Sequence, residues 1–337
     1  MQTKLQYASL MACALLIVPA AVFAQTPTLQ QNQAATVQQS YMNATLAQLT
    51  CQVNYLTGYI GDATSAIPKI NTTAISSDSS KITTDLQTLT TDANNKNTVQ
   101  FKSDAPTLRL DLKLGRVDLT SAIKASAPTR DERSQLRTDM SSLGTTERVC
   151  MFGAEQQSAQ AKITSFEFGI MKEQNRSHKL SIKGFDTTQL NQTITQAQTN
   201  IANLAASISS STNSTQLKAA LQSYCQYNGC KSGTNYHFAA QSTLDAEQAA
   251  LAAIQSNPNS GQYSTLISQV QGNLTNAQTV LTTVGTGQYQ GTDSTTIWTD
   301  LHDAQTILNQ IWHSLNGHKG TGSNASTLSN SGTSSSE

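Results

Sequence analysis

The sequence predicts an all-α protein, built as an elongated multi-helix bundle of antiparallel helical hairpins with heptad seams. Apolar residues recur at alternating spacings of four and three along most of the 337 residues, which is the spacing of a helix seam. Clusters of Pro, Gly and Asn separate these segments, as expected of loops. A similar helical pattern also occurs three times in the C-terminal half, which suggests possible internal helical repeats.

The first helix is predicted from about residue 29 to residue 66. Its seam comprises Met42, Leu46, Leu49, Val53, Leu56 and Ile60. Pro68 ends this helix, because the residue before a proline disfavours helical backbone. A second helix has the seam Ile75, Ile82, Leu86, Leu89 and Ala93.

The third segment, around residues 107–120, fits two structures. Leu108, Leu110, Leu112 and Leu114 alternate with polar residues, which is typical of a strand. Helical spacing instead joins Phe101, Ala105, Leu108, Leu112 and Leu119, with Pro106 in the first turn, where proline is tolerated. We predict a helix, because no partner strand is evident and an isolated strand is unstable.

A long charged helix is predicted from about residue 129 to residue 183, a length of roughly 80 Å. Its seam comprises Leu136, Met140, Leu143, Cys150, Ala154, Ala161, Phe168 and Met171. The charges on it have mixed signs: Arg130, Asp131, Glu132, Arg133, Arg137, Lys172, Glu173, Arg176 and Lys179. They indicate either a solvated helix with ion pairs one turn apart or a docking surface for a partner or surface polymer.

Three later seams share one spacing. They comprise Leu190, Ile194, Ala197, Ile201, Leu204 and Ile208; then Val270, Leu274, Ala277, Leu281 and Val284, preceded by Tyr263 and Ile267; then Ile297, Leu301, Ala304, Leu308, Ile311 and Leu315. Ala-Gln-Thr recurs at 197–199, 277–279 and 304–306, and Asp186 and Asp293 are suited to be N-caps. Either a helical unit was copied, or Gln/Thr-rich amphipathic helices converged on this pattern.

The N-terminus predicts export. One basic residue, Lys4, precedes the apolar run Tyr7–Ala24, which is the layout of a cleavable signal peptide, with an uncleaved anchor as the alternative. The predicted divisions are residues 1–24, signal peptide; 25–183, N-terminal long-helix bundle; 184–316, C-terminal helical bundle with repeated helices; and 317–337, a disordered tail rich in Ser, Thr, Gly and Asn. We expect an extracellular, cell-surface or periplasmic location, with no membrane span after signal cleavage.

Four cysteines follow the predicted signal: Cys51, Cys150, Cys225 and Cys230. An even number in an exported chain predicts disulfides. The Asn-Gly turn between Cys225 and Cys230 favours a local bond there, which leaves Cys51 to pair with Cys150. Because Cys51 lies opposite the seam of its helix, that pairing requires the helix to be covered on both sides. Free thiols, or zinc bound by Cys225, Cys230 and His237, are the alternatives.

Candidate catalytic and metal-binding groups do not converge in the sequence. His302, next to Asp303, lies about 16 Å along the helix from His313. Glu167 and Glu173 point to divergent faces, and there is neither a Gly-x-Ser-x-Gly motif nor a phosphate-binding glycine loop. We therefore predict no catalytic residues, no cofactor and no metal site.

These observations predict a secreted or cell-surface helical scaffold or interaction protein without catalytic activity. Its partner is an unknown protein or a cell-surface polymer, and self-association is open. The 21 basic and 21 acidic residues balance, which argues against a nucleic-acid partner. The alternative is a periplasmic chaperone-like or stress-sensing helical protein that binds clients on an apolar face.

Overall fold

The computed structural model describes residues 27–228, 230–231, 234–286 and 291–316, and the surroundings of side chains 31–225, 236–284 and 294–315. The predicted signal peptide and the predicted tail lie outside these residues. The described chain is all-α, which confirms the predicted class. Its helices are α1 (Pro27–Ala66), α2 (Thr73–Asn94), α3 (Thr98–Ala125), α4 (Arg130–Ile182), α5 (Thr188–Ser210), α6 (Ser214–Asn228), α7 (Tyr236–Gln255), α8 (Ser264–Thr286) and α9 (Gly291–Asn316).

Two short elements interrupt the helices. A two-residue antiparallel ladder pairs β1 (Cys230–Lys231) with β2 (Thr234–Asn235) between α6 and α7. A single 3-10 turn (Ser260–Tyr263) precedes α8.

Side chains and glycine define the ends of the long helix α4. At its start the Thr129 hydroxyl accepts from the Glu132 N–H (3.3 Å), and the Glu132 carboxylate accepts from the Thr129 N–H (2.6 Å), which is a capping box. At its end Gly184 has a φ of +83°, a conformation in which a side chain would be strained. The N–H of Phe185 then donates to the carbonyl of Leu180, which closes the last turn.

Helix α1 is covered on two faces. Its predicted seam packs against α2 and α3 in a core that includes Leu49, Leu56, Ile82, Leu89, Leu108 and Leu119. On its other face α1 packs antiparallel to α4, where Tyr41 lies beside Ser165 and Cys51 is bonded to Cys150. A Cβ on Gly58 would lie 2.7 Å from the Cδ1 atom of Leu143, so the glycine permits this close approach.

Residues 98–125 are helical, as predicted, but the predicted place of Pro106 was wrong. Proline lies inside α3, about two turns beyond Thr98, and not in the first turn. Proline has no N–H, so the carbonyl of Lys102 loses its partner within the helix. Both residues are exposed, which allows water to satisfy that carbonyl.

A second core joins the C-terminal half of α4 to α5, α6, α7, α8 and α9. The three predicted seams of α5, α8 and α9 are confirmed: every seam position is buried except Leu315, which is half-buried. None of the described helices is both long and apolar enough to cross a membrane.

The predicted seam of α4 was incomplete in its C-terminal half, where Ala161 and Met171 are buried as predicted but further side chains are buried too. Phe168 is half-exposed there, whereas the buried side chains include Ile163, Phe166, Ile170 and Leu180. This face lies about 140° around the helix from Leu136, at 100° per residue. The reason is that α4 packs against α1 with one face and against α5 with another. Helix α4 thus contributes to both cores, and the predicted division at residues 183–184 stays a prediction.

Candidate functional site

Helix α3 carries apolar side chains on two opposite faces. The inward face includes Phe101, Leu108, Leu112 and Leu119, which are all at most 4% exposed. The outward face carries four residues that we call the α3 stripe, with exposed fractions of 82%, 55%, 49% and 54%: Val99, Leu110, Leu114 and Val117. These four lie within an arc of about 60°. They extend over roughly 27 Å of helix.

This geometry explains the strand-like alternation of leucines in the sequence. Leu108 and Leu112 are four residues apart and share the buried face, whereas Leu110 and Leu114 share the exposed face. Two residues correspond to about 200° of rotation in a helix, so alternate leucines point in opposite directions. The alternation is therefore the signature of a helix with a second apolar face.

Charges on α3 are segregated around the stripe. Its basic residues are all exposed and lie on the side of the stripe that faces α1: Lys102, Arg109, Lys113, Arg116 and Lys124. The guanidinium carbon of Arg116 lies 5.9 Å from the centre of the Tyr55 ring on α1. The acidic residues of α3 lie on the other side, towards α2. The outward face of α3 therefore combines apolar and positively charged groups.

Between α2 and α3 three pairs of aspartates form what we call the aspartate ladder. The carboxyl of Asp78 faces that of Asp118, Asp85 faces Asp111, and Asp92 faces Asp104. The members of each helix are seven residues apart, so successive pairs stack along one antiparallel interface. A basic group is close to the middle pair, where Lys81 Nζ lies 2.5 Å from an Asp111 oxygen.

The ladder is electrostatically strained. Burial raises the pKa of Asp78, Asp85 and Asp92, and the facing aspartates raise it further. Burial acts in the same direction on Asp111, but the hydrogen bond from Lys81 and the facing Asp85 carboxyl lower the pKa of Asp111. One buried oxygen of each of these four carboxyls accepts no hydrogen bond from a described residue. A proton shared within a pair would satisfy both facing oxygens.

The sequence reasoning missed both features, although the sequence carries a signal for each. Asp78, Asp85 and Asp92 repeat every seven residues, as do Asp104, Asp111 and Asp118. Such a repeat places each set on one helix face, and helical spacing also links Leu110, Leu114 and Val117. Counting only apolar seams hid the polar repeat, and choosing one seam per helix hid the second apolar face.

The structure joins the first predicted cysteine pair. Cys51 and Cys150 form a disulfide with a Cα–Cα distance of 5.7 Å. The condition stated for this pairing holds, because α1 is covered by α2 and α3 on one side and by α4 on the other. Cys225 is also disulfide-bonded. The side chain of Cys230 lies outside the described part, so the pairing of these two stays a prediction.

The other candidate groups are spread over the molecule. His302, Asp303 and His313 are exposed on α9, whereas His237 is half-buried at the start of α7. Among residues with described side chains, no three His, Cys, Asp or Glu groups come together as metal ligands do. Glu167 is exposed, whereas the side chain of Glu173 is only 19% exposed and lies 3.6 Å from Arg176.

The predicted docking surface on α4 is therefore reduced at its C-terminal end. The Arg176 side chain is 21% exposed, and its guanidinium donates to the Thr243 hydroxyl at 3.2 Å. Arg176 and Glu173 thus belong to the contact of α4 with α7 and do not form a solvated face. Arg130, Asp131, Arg133 and Arg137 remain exposed near the start of the helix.

Comparison with known proteins adds no relative to this description: no family model, no curated protein and no solved structure matches the chain.

Proposed function

We propose that the chain is an exported helical interaction protein without catalytic activity, which docks a partner on the outward face of α3. The α3 stripe carries this proposal. Large apolar side chains that share one helix face and remain in water are costly unless a partner covers them. Of the six large hydrophobic residues that are well exposed in the described chain, four belong to this stripe.

The charge pattern indicates the chemistry of the partner. Exposed Lys and Arg residues line one side of the stripe, so a partner with an apolar strip beside acidic side chains matches the face. An amphipathic acidic helix of another protein has both properties and can lie along the stripe. We therefore favour a protein partner over a surface polymer, which offers no apolar strip.

A second copy of the chain fits this face less well. In an antiparallel pair related by a two-fold axis, each flank of a helix meets the same flank of its mate. The basic side of one α3 would then face the basic side of the other. In a parallel pair the basic side would meet the acidic side, but Asp111 and its neighbours are turned towards α2.

The Cys51–Cys150 disulfide supports export, because disulfides persist in oxidising compartments outside the cytosol. It joins the two longest described helices, α1 and α4, and ties α1 in place beneath the α2–α3 hairpin. A covalently anchored support of this kind suits a rigid docking face.

Photo-crosslinking in the producing cells tests the proposal. A photoreactive amino acid at position 114 should give one discrete cross-linked species, because Leu114 lies in the middle of the stripe. The same group at position 149 serves as the control, since Val149 is 71% exposed on α4, away from the stripe. Equal products from both positions, or none from position 114, would contradict docking on α3.

The chaperone-like alternative requires a different shape of apolar surface. Client proteins would need a broad or concave apolar face, whereas the stripe is one helix wide. An assay of aggregation by a thermally unfolded reporter protein separates the two functions. We expect an equimolar amount of this protein not to suppress aggregation of the reporter. Strong suppression would favour the chaperone-like function.

A further inference from the structure

A groove of about 570 Å³ opens in the C-terminal core, well away from α3. We call it the α5–α7 groove, after the helices that form two of its walls, with α6 as the third. Its volume lies within the range of about 300–1,000 Å³ that is typical of small-ligand sites.

One wall is a row of polar side chains on α5. Thr193, Gln196, Asn200, Asn203 and Ser207 line the groove at spacings of three and four, so they share one side of the helix. These positions run beside the buried seam that includes Ala197 and Leu204. The groove thus has an apolar base and a wall of amides and hydroxyls.

Aromatic rings make the base rigid. Tyr224 of α6 and Phe238 of α7 line the groove and are 9% and 7% exposed. The Tyr224 ring stacks on Phe166 of α4, with 5.3 Å between ring centres. A ligand would therefore meet a preformed apolar surface, with no need to order a loop.

A buried carboxylate fixes the orientation of the polar groups. Asp245 is 6% exposed and accepts from the Thr193 hydroxyl at 2.6 Å and from the Gln241 amide nitrogen at 2.8 Å. The Thr193 hydroxyl proton is thereby used, so its oxygen is left as an acceptor. The Gln241 amide keeps its second N–H as a donor and its oxygen as an acceptor. The Gln196 amide donates to the Asn200 oxygen at 2.9 Å, which leaves the Asn200 amide nitrogen as a donor.

The groove presents no full charge among its described lining residues. Its one titratable imidazole is His237, whose pKa burial lowers, with one ring nitrogen hydrogen-bonded to the Leu281 backbone. A neutral ring that donates to a carbonyl keeps its other nitrogen as an acceptor. Phosphate or carboxylate ligands would find no cationic partner here.

We infer that the α5–α7 groove binds a neutral saccharide. Sugar hydroxyls both donate and accept, and the Asn200 donor together with the Gln241 and Thr193 acceptors complements that pattern. The C–H faces of a sugar ring match the base formed by Leu204 and Phe238. This site is separate from the α3 stripe, so a test of saccharide binding is independent of a test of the docking function.

Titration calorimetry with cellotriose, xylotriose, maltotriose and chitotriose tests the inference, with trigalacturonic acid as a charged comparison. At least one neutral trisaccharide should bind with a millimolar or lower dissociation constant. The double substitution Asn200→Ala/Asn203→Ala should weaken that binding at least tenfold. The control Gln198→Ala should bind as the unaltered protein does, because Gln198 is exposed on the opposite side of α5.

A measurement on the unaltered protein removes any dependence on how the variants fold. The imidazole resonances of His237 in NMR spectra should shift as the binding trisaccharide is added. Three results would each overturn the inference: no neutral trisaccharide binds at 10 mM, the double variant binds normally, or the charged trisaccharide binds more tightly than the neutral ones.

Discussion

Asp92 of α2 and Asp104 of α3 face each other across a helix interface, although both are acids. Asp92 is 8% exposed, and one of its oxygens accepts no hydrogen bond from a described group. The same arrangement recurs one and two heptads along, at Asp85–Asp111 and Asp78–Asp118. Facing carboxylates repel, so this interface is held by the apolar contacts beside it and is weakened when the acids are ionised.

The substitution Asp92→Asn should stabilise the protein at neutral pH. Burial and Asp104 raise the pKa of Asp92, so between the ordinary and the raised pKa the folded state holds a proton that the unfolded state has released. Stability therefore falls as the pH rises above the ordinary pKa of an aspartate. An amide cannot ionise, and it can donate to Asp104. We expect a melting temperature a few degrees higher at pH 7, and no gain at pH 3.

Thermal unfolding followed by circular dichroism at both pH values checks this prediction. Asp62→Asn is the control, because Asp62 is the one charged residue of α1 and is not a member of the ladder. An equal rise in melting temperature for both variants would exclude the ladder as the cause. So would a rise for Asp92→Asn that is the same at pH 3 and pH 7.

Glu247 of α7 predicts a second pH dependence. It is 4% exposed, neither carboxylate oxygen has a hydrogen-bond partner among the described residues, and burial raises its pKa from 4.5 to about 8. The unfolded chain releases this proton near the lower value, so stability falls as the pH rises between the two. The positive charge of Arg176 lowers the pKa of Glu247 and so offsets the effect of burial only in part.

The substitution Glu247→Gln should remove that dependence. It should raise the free energy of unfolding at pH 9 by as much as about 5 kcal/mol, since each pKa unit corresponds to about 1.4 kcal/mol. At pH 4 it should have little effect. Urea unfolding at both pH values measures the difference, with Glu147→Gln on α4 as the control. An equal increase in the free energy of unfolding at pH 4 would show that the cause is packing and not ionisation.

Removal of the Cys51–Cys150 bond should destabilise the fold without altering it. The two cysteines are 99 residues apart, so the bond restricts a long loop of the unfolded chain. The double substitution Cys51→Ser/Cys150→Ser should lower the free energy of unfolding by about 2–5 kcal/mol. Urea unfolding of this variant and of the unaltered protein gives the value. A loss below 0.5 kcal/mol would mean that α1 and α4 are already held together in the unfolded chain.

Two leucines of α3, two residues apart, should respond in opposite ways to truncation. Leu108 is fully buried, whereas Leu110 is 55% exposed. Leu108→Ala should cost about 2–5 kcal/mol, because it leaves a cavity between α1, α2 and α3. Leu110→Ala should change stability by less than about 0.5 kcal/mol. If the two variants lose similar stability by urea unfolding, the outward face of α3 is not exposed.

The fold follows from the sequence wherever one helix has one buried face. On α5 the buried positions Leu190, Ile194 and Ala197 are those that heptad spacing indicates. Many Thr hydroxyls donate to the carbonyl four residues before, for example Thr195 to Asn191 at 2.9 Å, so their own hydrogen bonds are satisfied on exposed helix faces. The abundance of Thr therefore does not prevent the helices from forming.

Sequence reasoning was incomplete where a helix has two partners. The buried face of α4 changes between Leu136 and Phe166 because different helices pack there, and a single seam cannot describe that change. The groove formed by α5, α6 and α7 could not be predicted either, because it depends on how far those helices are separated. Local spacing gives the face of a residue and not the distance to the next helix.

The docking function is tested most directly by placing charge in the α3 stripe. The double substitution Leu110→Glu/Leu114→Glu should leave the melting temperature within a few degrees of the unaltered protein, since both side chains are already solvated. Val149→Glu, at an exposed apolar residue on α4, is the matched control. Each protein is then photo-crosslinked in the producing cells from position 117. We predict that the discrete cross-linked partner persists in the Val149→Glu protein and is lost in the double variant. A partner that cross-links equally well to both proteins would contradict docking on α3.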